Sequence, residues 1–245
     1  MEKTEMIYGT RAVMEAVLAG KEIEKVMIQT GLANDLIKEL MGVLRVHNIP
    51  MSFVPLEKLK RLSAKNHQGV ICLLSSVTYA SLDNIIDKAY SEGKEPFILI
   101  LDRITDVRNF GAIVRTAECA GMDCIVVADK GSALITGDAM KTSAGALNHL
   151  PICREDLKKT IQFLHDNGIR VVACTEKAEQ SLHQVGLTGP IAVMMGSEED
   201  GISDVLLRHA DELAKIPMKG KIGSLNVSVA AGVAIYEVVR QRSIA

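Results

Sequence analysis

Four short runs made only of apolar residues constrain this chain most: Phe97–Leu101 (FILIL), Cys124–Ala128 (CIVVA), Val171–Cys174 (VVAC) and Ile191–Met195 (IAVMM). A strand that alternates apolar with polar keeps one wet face. A strand apolar at every position is buried on both faces, the habit of parallel strands covered by helices. Leu213–Ile216 is a weaker fifth run, and the intervals 111–121, 138–146, 156–167 and 203–210 fit helices between them. Residues 96–245 are therefore expected to form an α/β domain around a parallel sheet.

Residues 1–75 read as a smaller α/β domain. Apolar spacing at Met6, Ala12, Val13, Ala16 and Val17 predicts a helix over 5–18. Strands follow at Lys25–Gln29, Met51–Val54 and Gly69–Leu74. Helices are expected over 34–47, opened by Asn34-Asp35 and stopped before Pro50, and over Leu56–Leu62. Residues 76–95 are polar and read as a linker.

Composition excludes several classes. Hydrophobic residues at 48% and charged residues at 24% are ordinary for a folded globular chain. No apolar run approaches the roughly 18–20 residues that span a bilayer, so no membrane partner is expected. The N-terminus carries acidic residues and no uninterrupted apolar core, unlike a secretory signal. Cys72, Cys119, Cys124, Cys153 and Cys174 form no C-x-x-C pair, so buried free thiols and a cytoplasmic location are expected. The formal net charge of −2 gives no electrostatic sign of a nucleic-acid partner. Residues 1–75, with ten Lys/Arg and eight Asp/Glu, are slightly basic. Lys58, Lys60, Arg61, Lys65 and His67 cluster there as a solvated surface or as phosphate contacts.

Ligands of an open parallel sheet bind beyond the C-terminal ends of its strands. Three segments there combine glycine with polar side chains. The first, Asp102–Gly111, places Asn109 as a helix cap and leads to Arg115 and Glu118, which share a helix face and form a surface ion pair on the plainest reading. The second, Gly196–Ser203, brackets Glu198, Glu199 and Asp200 between glycines. Three carboxylates can hold ribose hydroxyls or a cationic group, and without a histidine at ligand spacing no metal is expected. The third, Ile216–Glu237, carries Gly220, Gly223, Ser224, Asn226 and Ser228 into a helix. No G-x-G-x-x-G follows the first strand and no G-x-x-x-x-G-K-[ST] occurs, so the usual nucleotide cradles are missing.

Together the segments DRITDVRNFGAIVRTA, MGSEEDGIS and IPMKGKIGSLNVSVA resemble, in order and spacing, the three motifs of the SpoU (TrmH) class of RNA ribose 2′-O-methyltransferases. The N-terminal IYGTRAVMEAV is similar to the L30e-like RNA-binding domain of the 23S rRNA guanosine-2′-O-methyltransferase branch. The resemblance implies a SPOUT-like catalytic domain over 96–245 with a C-terminal trefoil knot, preceded by an L30e-like domain over 1–75. It implies S-adenosylmethionine as cofactor, 23S rRNA as substrate and a homodimer formed through the knotted domain. Gly196, Ile216 with Met218, and Leu225 would surround the cofactor. Asn109, Arg115, Glu198, Ser224 and Asn226 match the catalytic and substrate-orienting positions. Many members carry Pro where this chain has Val107, so a rigid turn is lost there.

The implied reaction is in-line attack of a guanosine 2′-oxygen on the sulfonium methyl. The family's proposed base is the arginine matching Arg115, yet a guanidinium with a pKa above about 12 stays protonated. Arg115 is therefore expected to clamp a substrate phosphate, with Ser224 and Asn226 holding the reacting hydroxyl or the arginine. Arg11 and the Lys58–Lys65 region are the expected RNA contacts of the first domain. The same chemistry on tRNA is the alternative. A non-catalytic RNA-binding protein or a small-molecule α/β enzyme explains less of the three motifs.

Overall fold

The computed structural model describes residues 5–244. The chain divides into two compact units, one running to Thr78 and including Leu134–Asp138, the other comprising 79–133 and the residues after 138.

The first unit runs β1 (Met6–Tyr8), α1 (Thr10–Leu18), β2 (Ile23–Gln29), α2 (Asp35–Val46), β3 (Met51–Val54), α3 (Leu56–Leu62) and β4 (Val70–Leu74). Its sheet has the order β1-β4-β2-β3, with β4 antiparallel to both neighbours and β2 parallel to β3. Val13 and Val17 of α1 and Ile37, Leu40 and Leu44 of α2 cover one face with Val26, Ile28 and Val70. Leu59 of α3 covers the other with Met27, Val54 and Ile71, and Leu134 packs there too. Asn34 caps α2, accepting the Ile37 N–H at 2.9 Å. The helix expected over 5–18 begins only at Thr10, after a strand of three residues. Met6–Tyr8 pairs with Ile71–Leu73, and Gly9, at φ +86°, reverses the chain before α1. An edge strand of three residues is too short for its period to show.

The second unit holds α4 (Leu82–Ser91), β5 (Phe97–Leu101), α5 (Val107–Cys119), β6 (Cys124–Ala128), α6 (Gly137–Thr142) from Ala139 onward, β7 (Ile152–Glu155), α7 (Leu157–Asp166), β8 (Arg170–Cys174), β9 (Ile191–Met195), α8 (Asp204–Leu207), β10 (Glu212–Ala214) and α9 (Val227–Ile244). Its six strands are all parallel, in the order β10-β8-β9-β5-β6-β7. The four apolar runs are the four central strands, and every residue of β5 and β9 is buried. Leu82 and Ile86 of α4 lie in this unit's core, so much of the stretch expected as a linker is structural. Two other expectations shift. The helix expected over 138–146 stops at Thr142 because Ala144 and Gly145 are left-handed, at φ 52° and 87°. The strand expected at Leu213–Ile216 ends at Ala214, which leaves Ile216 in a loop. β7, with half-buried Arg154 and Glu155, was not expected. All five cysteines are free; Cys72, Cys124 and Cys153 are buried, but Cys174 is half-buried and Cys119 is exposed. Among the described residues no helix is long and apolar enough to cross a membrane.

Two contacts fix the helices that carry the site. A Cβ on Gly111 of α5 would fall 2.0 Å from Thr142 Oγ1, so only glycine permits this approach. Near the C-terminus of α9 the Glu237 carboxylate, 5% exposed, accepts from Arg240 Nε at 2.9 Å and from Gln241 Nε2 at 2.9 Å, with His183 Nδ1 at 3.3 Å. Gln241 in turn spans Leu187 N–H and the Val185 carbonyl. The Arg240 guanidinium first, against the effect of burial, then Gln241 and His183, holds the Glu237 pKa down to about 2, from 4.5. A carboxylate depressed on folding stabilises the native state above its unfolded pKa and loses that contribution as pH falls toward its folded value. The stability difference between the wild type and Glu237→Gln, measured by urea unfolding, should be constant above about pH 5 and shrink between about pH 4.5 and 2. A difference that does not change with pH would show that the carboxylate charge is not what holds α9.

Candidate active site

β5 and β9 are neighbours, and the chain leaves β5 toward β6 and β7 on one side while β8 and β10 lie beyond β9 on the other. That reversal of direction opens a crevice at the C-terminal ends of the two strands. The loops after β5 and β9 line it, and the segment before α9 joins them.

After β5 the loop turns at Asp102-Arg103 and enters α5. The helix cap is Asp106, whose Oδ1 accepts the Asn109 N–H at 2.8 Å. Asn109 was expected to be the cap. It lies instead in the first turn, which frees its side-chain amide to face the second loop. After β9 the chain folds on itself as a tight turn. Ser197 and Gly201 exchange backbone hydrogen bonds of 3.1 and 3.0 Å, and Gly201 is left-handed at φ 66°. A Cβ on Gly196 would fall 2.1 Å from backbone atoms of Gly201 and Ile202, so no other residue fits. The turn presents Glu198, Glu199 and Asp200 at its tip. The third segment ends at Asn226, which caps α9 by accepting the Ser228 N–H at 2.9 Å.

These elements bring three of the expected site residues together. Asn109 Nδ2 donates to Glu198 Oε1 at 2.7 Å, and Asn226 Nδ2 donates to the same oxygen and to Asn109 Oδ1, both at 3.0 Å. Glu198 Oε2 has no hydrogen bond among the described residues and is left as an acceptor. Two cavities adjoin this cluster. One, of about 340 Å³, is lined by Arg103, Thr105, Asp106, Asn109 and Gly131. The other, of about 570 Å³, is lined by Met195, Gly196, Ile216, Met218, Ser224 and Leu225. Residues 197–200 and Val227 line both, so Glu198 stands in a shared wall.

Arg115 is not brought into the cluster. It is exposed on α5, lines neither cavity and makes no ion pair with Glu118 among the described residues. Ser224 lines the larger cavity and has no hydrogen bond to Glu198 among the described residues. Sequence reasoning placed Ser228 in the third segment without a role, and missed Arg103 and the capping role of Asp106. The Asp three residues before Asn109 was a readable cap signal. Nothing in the sequence marks Arg103, whose place depends on a left-handed φ of 56°. Among the described residues no cluster of His, Cys, Asp and Glu could hold a metal ion.

Residues 96–236 match the SpoU rRNA Methylase family and residues 6–80 match RNA 2′-O ribose methyltransferase substrate binding. YacO of Bacillus subtilis, a TrmH-family protein, is 31% identical over 99% of this chain and 98% of its own. The uncharacterized tRNA/rRNA methyltransferase slr0955 of Synechocystis is 34% identical over 98% of this chain, which spans only 64% of that protein. The SpoU methyltransferase AviRb of Streptomyces viridochromogenes, solved with the cofactor AdoMet, shares the fold with a TM-score of 0.62 at 24% identity, covering 98% of this chain and 91% of its own. The ordered motifs, the parallel sheet and the matches along the chain agree: it belongs to the SpoU rRNA methylase family.

Proposed function

We propose that this chain transfers a methyl group from S-adenosylmethionine to the ribose 2′-hydroxyl of a guanosine in 23S rRNA. The observation that carries the reading is the Asn109–Glu198–Asn226 cluster, standing in the wall between two cavities. A transfer between two bound molecules needs two sites that meet at the reacting atoms. The larger cavity fits the cofactor by the chemistry of its lining. Ile216, Met218 and Leu225 offer apolar surface, and Glu176, Glu198 and Glu199 suit a cation.

When bound, S-adenosylmethionine would supply an electrophilic methyl to the ribose 2′-oxygen, the C–O bond made there replacing the C–S bond broken. Glu198 Oε2 accepts the hydrogen bond of the 2′-hydroxyl and draws off its proton as the oxygen becomes an ether. Asn109 and Asn226 hold that carboxylate through its other oxygen, so the free one has a fixed direction. Arg115, exposed and always charged, reaches a substrate phosphate rather than the proton. Ser224 orients the ribose or the cofactor from the larger cavity.

The first unit selects the RNA through Arg11 and the basic residues from Lys58 to Lys65, by phosphate contacts and shape. Lys65 lies over the Tyr8 ring at 5.2 Å, giving this region an aromatic face as well as charge. In the same proposal the segment after β10 passes through a deep trefoil knot. What supports it is the return of α9 to pack on α5 and β9 after the chain has visited the sheet edge. A homodimer covers α9, whose Val229 and Tyr236 are 52% and 48% exposed seven residues apart on one face.

Ribose methylation mapped across rRNA and tRNA, in cells with and without this protein, tests the substrate. One 23S rRNA guanosine should lose its 2′-O-methyl group. Loss of a tRNA methylation in its place would move the activity to tRNA, and an unchanged map would remove it. Sedimentation of the purified protein as a monomer would count against the dimer.

A further inference from the structure

Arg103 is the residue whose geometry is explained neither by the fold nor by the cluster. It stands two residues past the end of β5, with its backbone at φ 56°, a region that side-chain-bearing residues rarely adopt. Its guanidinium makes four hydrogen bonds. Nε and Nη2 grip the two oxygens of Asp102 at 3.1 and 3.2 Å. Nη1 donates to Asp200 Oδ2 at 3.1 Å and Nη2 to the Gly201 carbonyl at 3.0 Å. Asp102 is itself anchored, since its side chain is 6% exposed, its N–H joins the Met195 carbonyl at 2.9 Å and its Oδ2 accepts the Ser203 N–H at 2.7 Å.

One end of this contact is therefore fixed to the sheet, and the other holds the far limb of the Ser197–Gly201 turn. The near limb of that turn carries Glu198. A turn pinned through backbone at Ser197 and Gly201 still has freedom to tilt about its base. The Arg103 grip on Asp200 and Gly201 removes that freedom and sets how far Glu198 reaches toward Asn109 and Asn226. A lysine cannot replace it, because a single ammonium cannot satisfy two carboxylates and a carbonyl in one plane.

We infer that Arg103 is a positioning residue, which clamps the 197–201 turn to the end of β5 and so aims Glu198 at the reacting hydroxyl; its kinetic consequence rests on the methyl-transfer reading above. Arg103→Gly is the informative variant, since glycine accepts the left-handed backbone and only the guanidinium is lost. In the full-length protein without RNA, the side-chain amide NMR signals of Asn109 and Asn226 should shift in Arg103→Gly and in Arg103→Lys. With RNA and S-adenosylmethionine, kcat should fall about tenfold or more in both, while KM for RNA stays within about twofold. Added guanidinium should restore part of kcat to the glycine variant, which a general loss of fold would not allow. Asp200→Ala, which leaves the Asp102–Arg103 pair intact, should show the same shifts more weakly and serves if the glycine variant does not fold. Unmoved amide signals with kcat within twofold of wild type would overturn the inference. Should the wild type transfer no methyl group to any RNA, the activity reading fails and the amide signals alone decide the clamp.

Discussion

Replacing Asn226 with alanine is expected to slow methyl transfer about a hundredfold while leaving cofactor affinity within about threefold. The side-chain nitrogen of Asn226 donates to both other members of the cluster, at 3.0 Å to Glu198 and 3.0 Å to Asn109. Without it Glu198 keeps one donor and can swing about that bond, so its free oxygen loses its direction. The same side chain caps α9 through Ser228, and loss of a cap costs about 1 kcal/mol, too little to unfold a domain of this size. Asn226→Ser separates the two roles, because a serine can still cap the helix but lacks an amide to hold Glu198. Single-turnover rates and calorimetric cofactor binding should show both variants slow and both still binding. If the serine variant turns over like the wild type, capping is the function of Asn226 and its place in the cluster is incidental.

Gly196→Ala has the second large effect, and it acts on binding. The added methyl would lie 2.1 Å from the Gly201 carbonyl carbon and the Ile202 nitrogen and 2.4 Å from the Gly201 oxygen. These are backbone atoms, which cannot rotate aside as a side-chain end would. The turn must open, and with it the wall between the two cavities. Overpacking of this kind costs about 1–3 kcal/mol. Cofactor affinity should therefore fall about tenfold or more, with methyl transfer falling at least as far. Gly220→Ala is the control, for no heavy atom lies within 4 Å of its Cβ position. It should bind as the wild type does. Normal cofactor binding by Gly196→Ala would mean that the tight turn is not part of the cofactor site.

The central sheet was legible because its strands are buried on both faces, so each appears as an unbroken apolar run whose end can be read to within a residue. Three of the edge strands gave no such signal, although β3 was read at Met51–Val54. Met6–Tyr8 continues into helix-like spacing, β7 ends in Arg154-Glu155, and β10 begins at a glutamate. The tail of α6 was misread because Ala144 takes a left-handed conformation that an alanine does not announce. Of the site, the sequence motifs named Asn109, Glu198 and Asn226, residues far apart in the chain, and the structure joins them by hydrogen bonds. Their meeting depends on β5 and β9 being neighbours, which is long-range pairing that local patterns do not carry. Arg103 was invisible for a related reason: its role comes from a backbone angle and from partners nearly a hundred residues away. Arg115, named with the others by motif, stays apart from them on the exposed face of α5.

The most direct measurement is methyl transfer by the purified protein to ribosomal RNA prepared from cells that lack it, with the methyl group of S-adenosylmethionine labelled and the RNA digested to nucleosides. The proposed activity requires the label on the ribose 2′-oxygen of guanosine with the wild type, and about a hundredfold less of it in the same time with Asn226→Ala. Label on a base, or equal labelling by the two proteins, would contradict the chemistry assigned to the Asn109–Glu198–Asn226 cluster.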